Sequence, residues 1–72
     1  MIRINKEFIN RFKFYRYEYL YPISKGIWLA FDKDTLEYIG IELFYLPKTT
    51  YYLKQSDELI ETLINKNILE MI

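Results

Sequence analysis

The chain has 72 residues, ten basic and ten acidic side chains, eight tyrosines, and neither cysteine nor histidine. A chain of this length is expected to fold as one domain, residues 1–72. Without cysteine there is no disulfide and no thiolate ligand, and without histidine a zinc site would need carboxylates alone, which is unusual. We therefore expect no metal and no cofactor. Of the usual ways to stabilise so small a domain, a large aromatic core and association with a second copy of the chain are left.

No segment has the character of a signal peptide or a membrane span. The N-terminal residues lack an apolar core of signal-peptide length. The longest apolar run, Ile27 to Phe31, is far shorter than a span requires. We expect a soluble, cytoplasmic protein that does not bind a membrane.

Charge is distributed unevenly along the chain. Residues 1–31 carry six bases and two acids, a net charge of +4, whereas residues 32–72 carry four bases and eight acids, a net charge of −4. Such asymmetry can mark a face that binds nucleic acid or an acidic partner. The alternative, which we favour, is that the two halves pair with each other in the fold.

The first predicted element is a helix over residues 5–13. Asn5 is a suitable N-cap for it. Apolar residues recur at the spacing of one helix face: Ile4, Phe8, Ile9 and Phe12.

Residues 14–22 alternate and are rich in tyrosine, which predicts a strand. Pro22 limits further pairing, and residues 24–26 are predicted to turn the chain. One face of this strand would present a tyrosine row: Tyr15, Tyr17, Tyr19 and Tyr21. The other face would present Phe14, Arg16, Glu18 and Leu20.

A β-hairpin is predicted over residues 26–46. Its turn lies at residues 32–35, where the aspartates can bond their own backbone. A four-residue loop places Trp28 opposite Ile39, and Gly40 marks a candidate bulge.

The C-terminal part predicts a short strand over residues 49–54 and then a helix capped by Ser56. Asp57 and Glu58 would lie where the helix dipole favours negative charge. The apolar stripe continues towards the last residues of the sequence: Leu59, Ile60, Leu63, Ile64, Ile68 and Met71 or Ile72.

These elements predict an α+β fold. A small antiparallel sheet of three to four strands, with the hairpin 26–46 at its centre, would carry an N-terminal and a C-terminal helix packed on it. The order resembles that of the double-stranded-RNA-binding domain. In that family a lysine cluster at the start of the last helix grips phosphates, whereas here residues 56–61 are acidic and would repel a duplex. We therefore do not transfer RNA-duplex binding to this chain.

Both faces of the predicted hairpin are apolar, although a sheet with one face in water should alternate. Either the N-terminal helix covers the face of Trp28, or that face remains a contact surface for a protein partner or a second copy. The first face carries Ile27, Leu29, Phe31, Leu36 and Tyr38. The second carries Trp28, Ala30, Ile39 and Ile41.

The tyrosine row and its neighbouring cations are the candidate site. Tyrosine favours strands, so the row can simply be packing, but tyrosine is also enriched at protein interfaces. The candidate partner-binding residues are Tyr15, Arg16, Tyr17, Tyr19 and Trp28. Aromatic rings beside cations also bind single-stranded nucleic acid, so strand 11–21 is an alternative RNA or single-stranded-DNA site. Its residues would be Arg11, Lys13, Arg16 and Tyr17.

We expect no enzyme and no small-molecule substrate. Acid–base chemistry would fall to carboxylates, lysines or tyrosines, and only two glycines are present, too few for a phosphate loop. Asp32 and Asp34 could hold a cation, but aspartate is expected in a turn. The sequence therefore favours a non-enzymatic interaction protein. Its size and composition suggest a small phage, virus or mobile-element regulator or inhibitor that binds a host protein through an aromatic sheet face.

Overall fold

The computed structural model describes residues 1–43, 50–52 and 57–72. A 3₁₀ helix spans Lys6–Arg11 and an α-helix, α1, spans Asp57–Asn65. The strands are β1 (Ile2–Ile4), β2 (Lys13–Tyr15), β3 (Glu18–Ser24), β4 (Ile27–Asp32), β5 (Tyr38–Leu43), β6 (Thr50–Tyr52) and β7 (Leu69–Met71). No helix in these ranges is long and apolar enough to cross a membrane.

The strands form two antiparallel sheets. In the larger sheet, β2 to β5 follow one another as hairpins and β6 pairs with β5. In the smaller sheet, β1 pairs with β7. Two backbone contacts connect the sheets. The Ile4 N–H donates to the Leu36 carbonyl at 2.9 Å, and Arg3 forms an isolated antiparallel β-bridge with Glu37.

The predicted α+β class is wrong, because the described residues are mostly antiparallel sheet. The N-terminal helix is only a six-residue 3₁₀ segment with no buried residue. Such segments stay short because their hydrogen bonds have poorer geometry and their side chains eclipse. Strand β1 precedes this segment and β7 follows α1. The order of the double-stranded-RNA-binding domain is therefore absent.

The C-terminal helix begins near the predicted position but ends at Asn65, so the predicted continuation to residue 72 is wrong. Asn67 has φ 64°. The Asn67 N–H donates to the Ile64 carbonyl at 2.9 Å and the Ile68 N–H to the Leu63 carbonyl at 3.0 Å, which is the Schellman pattern. Leu63 and Ile68 are both buried there. The chain leaves this cap as β7, which pairs with β1.

We expect Asn67→Ala to lower the free energy of unfolding by about 1–2 kcal/mol, because alanine lacks the local side-chain bonding that lets asparagine adopt left-handed backbone. Asn67→Gly should be near neutral, since glycine adopts this conformation readily. Chemical denaturation of both variants measures the difference. Equal losses would show that the backbone conformation at residue 67 does not limit stability.

The predicted strand 14–22 is broken by a two-residue turn at Arg16 and Tyr17. β2 and β3 are therefore antiparallel neighbours, with Phe14 opposite Tyr19 and Tyr15 opposite Glu18. Opposite residues share a face of the sheet, so Tyr15 and Tyr19 lie on opposite faces. The tyrosine row does not exist as one surface.

The central hairpin is confirmed as far as residue 43, with strands β4 and β5, and residues 44–46 of its predicted range lie outside the described residues. The preceding turn at Gly26 is confirmed with φ 75°. The predicted register of the hairpin is wrong, because Trp28 lies opposite Glu42 and not opposite Ile39. The register shifts between Ala30 and Phe31, where Ile39 is an extra residue. The bulge is thus next to Gly40. The predicted strand over 49–54 is present as β6, and Ser56 lies outside the described residues.

The turn after β4 is held by Asp32, whose Oδ1 accepts the N–H of Asp34 at 2.7 Å and of Thr35 at 2.9 Å. Asp34 contacts Lys33 at 3.3 Å. These contacts agree with the turn interpretation of the two aspartates. Across the described ranges, no cluster of three or more Asp or Glu side chains is placed to hold a metal ion.

The N–H groups of Thr35 and Asp34 lower the pKa of Asp32 below its usual value of 3.8. Since the folded pKa is depressed, the stabilisation is complete above the unfolded pKa and is lost as the pH falls through the folded value. We expect the free energy of unfolding to fall below about pH 4 by more in the wild type than in Asp32→Asn. Urea denaturation across this pH range measures the difference, and parallel curves would contradict it.

Both helical segments lie on the same face of the large sheet. One buried cluster joins Leu29 and Phe31 of that face to Phe12 and to α1 residues Ile60 and Leu63. The N-terminal segment adds Phe8 and Ile9, which are half-buried against the same cluster. Of the two alternatives for the face of Trp28, coverage by this segment is therefore wrong.

The two halves of the sequence pair in part. Arg3 Nε lies 2.8 Å from Glu70 Oε1, across β1 and β7. Three other bases of the first half contact aromatic rings: Arg11, Lys13 and Arg16.

Candidate functional site

A groove lies on the large sheet, on the face opposite the core cluster. Three strands and one turn contribute its lining, and its volume is about 270 Å³. The lining residues are Lys13, Tyr15, Leu20, Gly26 and Trp28. Small-molecule pockets usually enclose roughly 300–1,000 Å³. The groove is therefore at the small end of this range.

The strand register brings these residues together. Lys13 lies opposite Leu20, which in turn lies opposite Ala30, so the three share the groove face. Leu20, which lines the groove, is buried, and so is its neighbour Ala30. Gly26 has φ 75° and no side chain, which leaves space beside Trp28.

Two cations lie against the aromatic rings of the groove. Lys13 Nζ is 5.8 Å from the centre of the Trp28 indole, and Arg16 Cζ is 5.2 Å from the centre of the Tyr15 ring. Such contacts are worth about 0.5–1 kcal/mol at exposed sites. They give the groove an apolar centre with positive charge at its rim.

Arg16 is held in an uncommon backbone conformation. It has φ 57° and is the first central residue of the two-residue turn between β2 and β3. Glycine, asparagine and aspartate are favoured in such turns, and another residue costs about 1–2 kcal/mol there. Strained residues of this kind cluster at functional sites. The turn also holds the guanidinium over Tyr15, at the end of the groove.

Of the five predicted partner-binding residues, the structure brings Tyr15, Arg16 and Trp28 together. Tyr17 is at the tip of the turn and is 75% exposed. Tyr19 lies on the core face, where its ring is 5.0 Å from that of Phe14.

The alternative nucleic-acid residues are also separated. Lys13 and Arg16 border the groove, but Arg11 Cζ lies 5.3 Å from the Phe8 ring, which packs against the core cluster. Comparison with protein families, curated proteins and solved structures gives no match.

Sequence reasoning missed Leu20 and Gly26 as lining residues and assigned Lys13 only to the nucleic-acid alternative. Lys13 and Leu20 meet because the turn at Arg16 folds β2 back onto β3, whereas Gly26 belongs to the turn between β3 and β4. The run Tyr15 to Glu18 contains no glycine, proline, asparagine or aspartate that would have indicated a turn.

Proposed function

We propose that this chain is a non-enzymatic interaction protein that binds another protein through the groove. The observation that supports this most is the convergence of Trp28, Tyr15 and Arg16 on one groove from separate strands and a turn. Tryptophan, tyrosine and arginine are the residues that most often dominate protein-binding energy.

The same geometry is less suited to single-stranded nucleic acid. Binders of that class stack successive bases on open rings along a basic path. Here the two groove rings already carry Lys13 and Arg16, and Tyr19 is on the other face. Arg11 does not continue the path, because it lies against Phe8.

The biological role that we propose for such a binder is that of a small regulator or inhibitor of a host protein, carried by a phage, a virus or another mobile element and acting in the cytoplasm. The many isoleucine, lysine, asparagine and tyrosine residues are typical of an AT-rich genome of that kind. A homodimer that uses the same groove is the competing arrangement. Sedimentation equilibrium separates the two, since a monomer at micromolar concentration would leave the groove to a different protein.

The test is capture of partners from the native host with tagged wild type and tagged Trp28→Ala, each with and without nuclease. We expect a protein that resists nuclease and moderate salt and that Trp28→Ala fails to retain. Recovery of nucleic acid alone, with steep loss as salt rises, would contradict the proposal and favour the phosphate-binding alternative.

A further inference from the structure

Strand β2 lies at one edge of the large sheet, and all three of its residues are exposed. Within the described ranges, no strand pairs with its other edge. An exposed edge presents unpaired backbone groups that can template another strand. We propose that this edge accepts an extended, acidic segment of a protein partner as an added strand, an inference that rests on the proposed function.

The backbone groups available for this pairing are at Phe14. In a two-residue hairpin the residues that flank the turn, here Tyr15 and Glu18, form a hydrogen-bonded pair. The next pair, Phe14 and Tyr19, is then not hydrogen-bonded within the hairpin. The N–H and C=O of Phe14 therefore point to the free edge, and its side chain is 53% exposed.

Strand addition at this edge would also reach the groove. A residue of the added strand that pairs with Phe14 projects to the same face as Phe14, and its two neighbours project to the groove face. Those neighbours would lie beside Lys13 and Tyr15, which line the groove. Edge pairing thus gives affinity through the main chain, and alternate side chains give specificity.

The charge of the edge selects the partner. Lys13 and Arg16 are both exposed, and residues 11–16 contain no acid. A second copy pairing through the same edge would bring two such basic segments together, which like-charge repulsion disfavours. Carboxylates at alternate positions would instead face Lys13 and approach Arg16. The occupant is therefore an acidic extended segment of a different protein.

The probe is a short acetylated and amidated peptide of alternating glutamate and valine, titrated into the full chain and followed by amide exchange and by Trp28 fluorescence. We expect exchange of the Phe14 amide to slow about tenfold at saturation, because a new hydrogen bond must open before exchange occurs. A peptide of alternating lysine and valine is the charge control and should bind at least about tenfold more weakly.

Backbone pairing is tested with two peptides that differ only in the position of N-methylation. The added strand continues the antiparallel pairing of the large sheet, so a residue opposite Phe14 exchanges both hydrogen bonds with it. With carboxylates on the groove face, the valines lie opposite Phe14, and N-methylation of the valines removes the donor to the Phe14 carbonyl. N-methylation of the glutamates alters only the outward edge. We expect the first peptide to bind about tenfold more weakly than the second, since one hydrogen bond is lost and a methyl group intrudes.

A variant of the protein gives the reciprocal test. Phe14→Pro removes the outward N–H without removing a bond between β2 and β3, and proline is tolerated at such edge positions. It should weaken binding of the glutamate–valine peptide, whereas Phe14→Ala, which keeps the N–H, should retain most of it. If Phe14→Pro unfolds the hairpin, the N-methylated pair of peptides still decides the point.

The outcomes separate this inference from the proposed function. Peptide binding that changes Trp28 fluorescence without protecting the Phe14 amide, and with equal affinity for both N-methylated peptides, overturns strand addition while groove binding stands. Equal affinity for the lysine peptide overturns the acidic partner. If the peptide does not bind at millimolar concentration, the inference is overturned. Trp28-dependent capture from the host then tests the proposed function separately.

Discussion

Phe31→Ala is expected to lower the midpoint of urea denaturation far more than Phe14→Ala. Phe31 is fully buried, and its ring centre lies 5.2 Å from that of Phe12 and 5.4 Å from that of Tyr38. Truncating a buried phenylalanine costs about 3–5 kcal/mol, because apolar contact is lost and a cavity remains. A domain of this size has a total stability of roughly 4–11 kcal/mol. The loss therefore removes a large part of this stability.

The matched control is Phe14→Ala on the same face of the sheet. Phe14 is an edge residue that contacts Tyr19 and is largely exposed, so its truncation should cost less than about 1 kcal/mol. Circular dichroism during urea denaturation compares the two variants. Similar midpoints for both would mean that Phe31 is not at the centre of the core.

Trp28→Ala is expected to raise the dissociation constant for the captured protein partner by at least about 30-fold. Interface hot spots contribute about 2 kcal/mol or more on truncation, and this is the corresponding ratio at 25 °C. The indole lies beside Leu20 in the groove and under the Lys13 ammonium. Its removal deletes the largest apolar surface of the groove together with one cation–π contact. Isothermal calorimetry with the purified partner measures the change.

Two further variants sharpen this prediction. Trp28→Phe keeps an aromatic ring in the groove and should retain more affinity than Trp28→Ala. Tyr17→Ala removes an exposed ring at the tip of the turn, outside the groove, and should change affinity only a few-fold. If Tyr17→Ala weakened binding as much as Trp28→Ala, the binding surface would be centred on the turn and not on the groove.

The parts of the fold that sequence predicted are those with strong local chemistry. Gly26 turns the chain because it adopts positive φ without cost, and Asp32 closes the next turn with its own side chain. The amphipathic stripe of α1 also predicted a helix at the right place. In each case the local sequence alone favours the observed conformation.

The parts that sequence did not predict are those where tertiary contacts decide. Arg16 turns the chain although nothing in its type favours positive φ, and Leu36 does so too with φ 66°. Leu36 is buried in the core cluster and its carbonyl accepts the Ile4 N–H, so burial and pairing offset its strain. Asparagine at position 67 is compatible with a helix end, but the apolar spacing of Ile68 favours a longer helix.

The candidate site was predicted in part for the same reason. The residue types of Tyr15, Arg16 and Trp28 indicate binding whatever the strand register. An unbroken strand would place Tyr19 beside Tyr15, but a single turn places it on the other face. Residue type therefore predicted three residues at the groove, whereas the assumed strand register grouped the wrong side chains into one surface.

The pairing of β1 with β7 has a consequence for how the chain folds. Ile2 lies opposite Met71, so this pairing closes a loop that contains almost the whole sequence, while β2 and β3 meet across two residues. The entropy cost of closure rises with loop length, and contacts between distant residues slow folding. We expect the hairpins of the large sheet to form in the folding transition state and the terminal pair to join after it. Substitutions in β7 should then accelerate unfolding and leave the refolding rate almost unchanged.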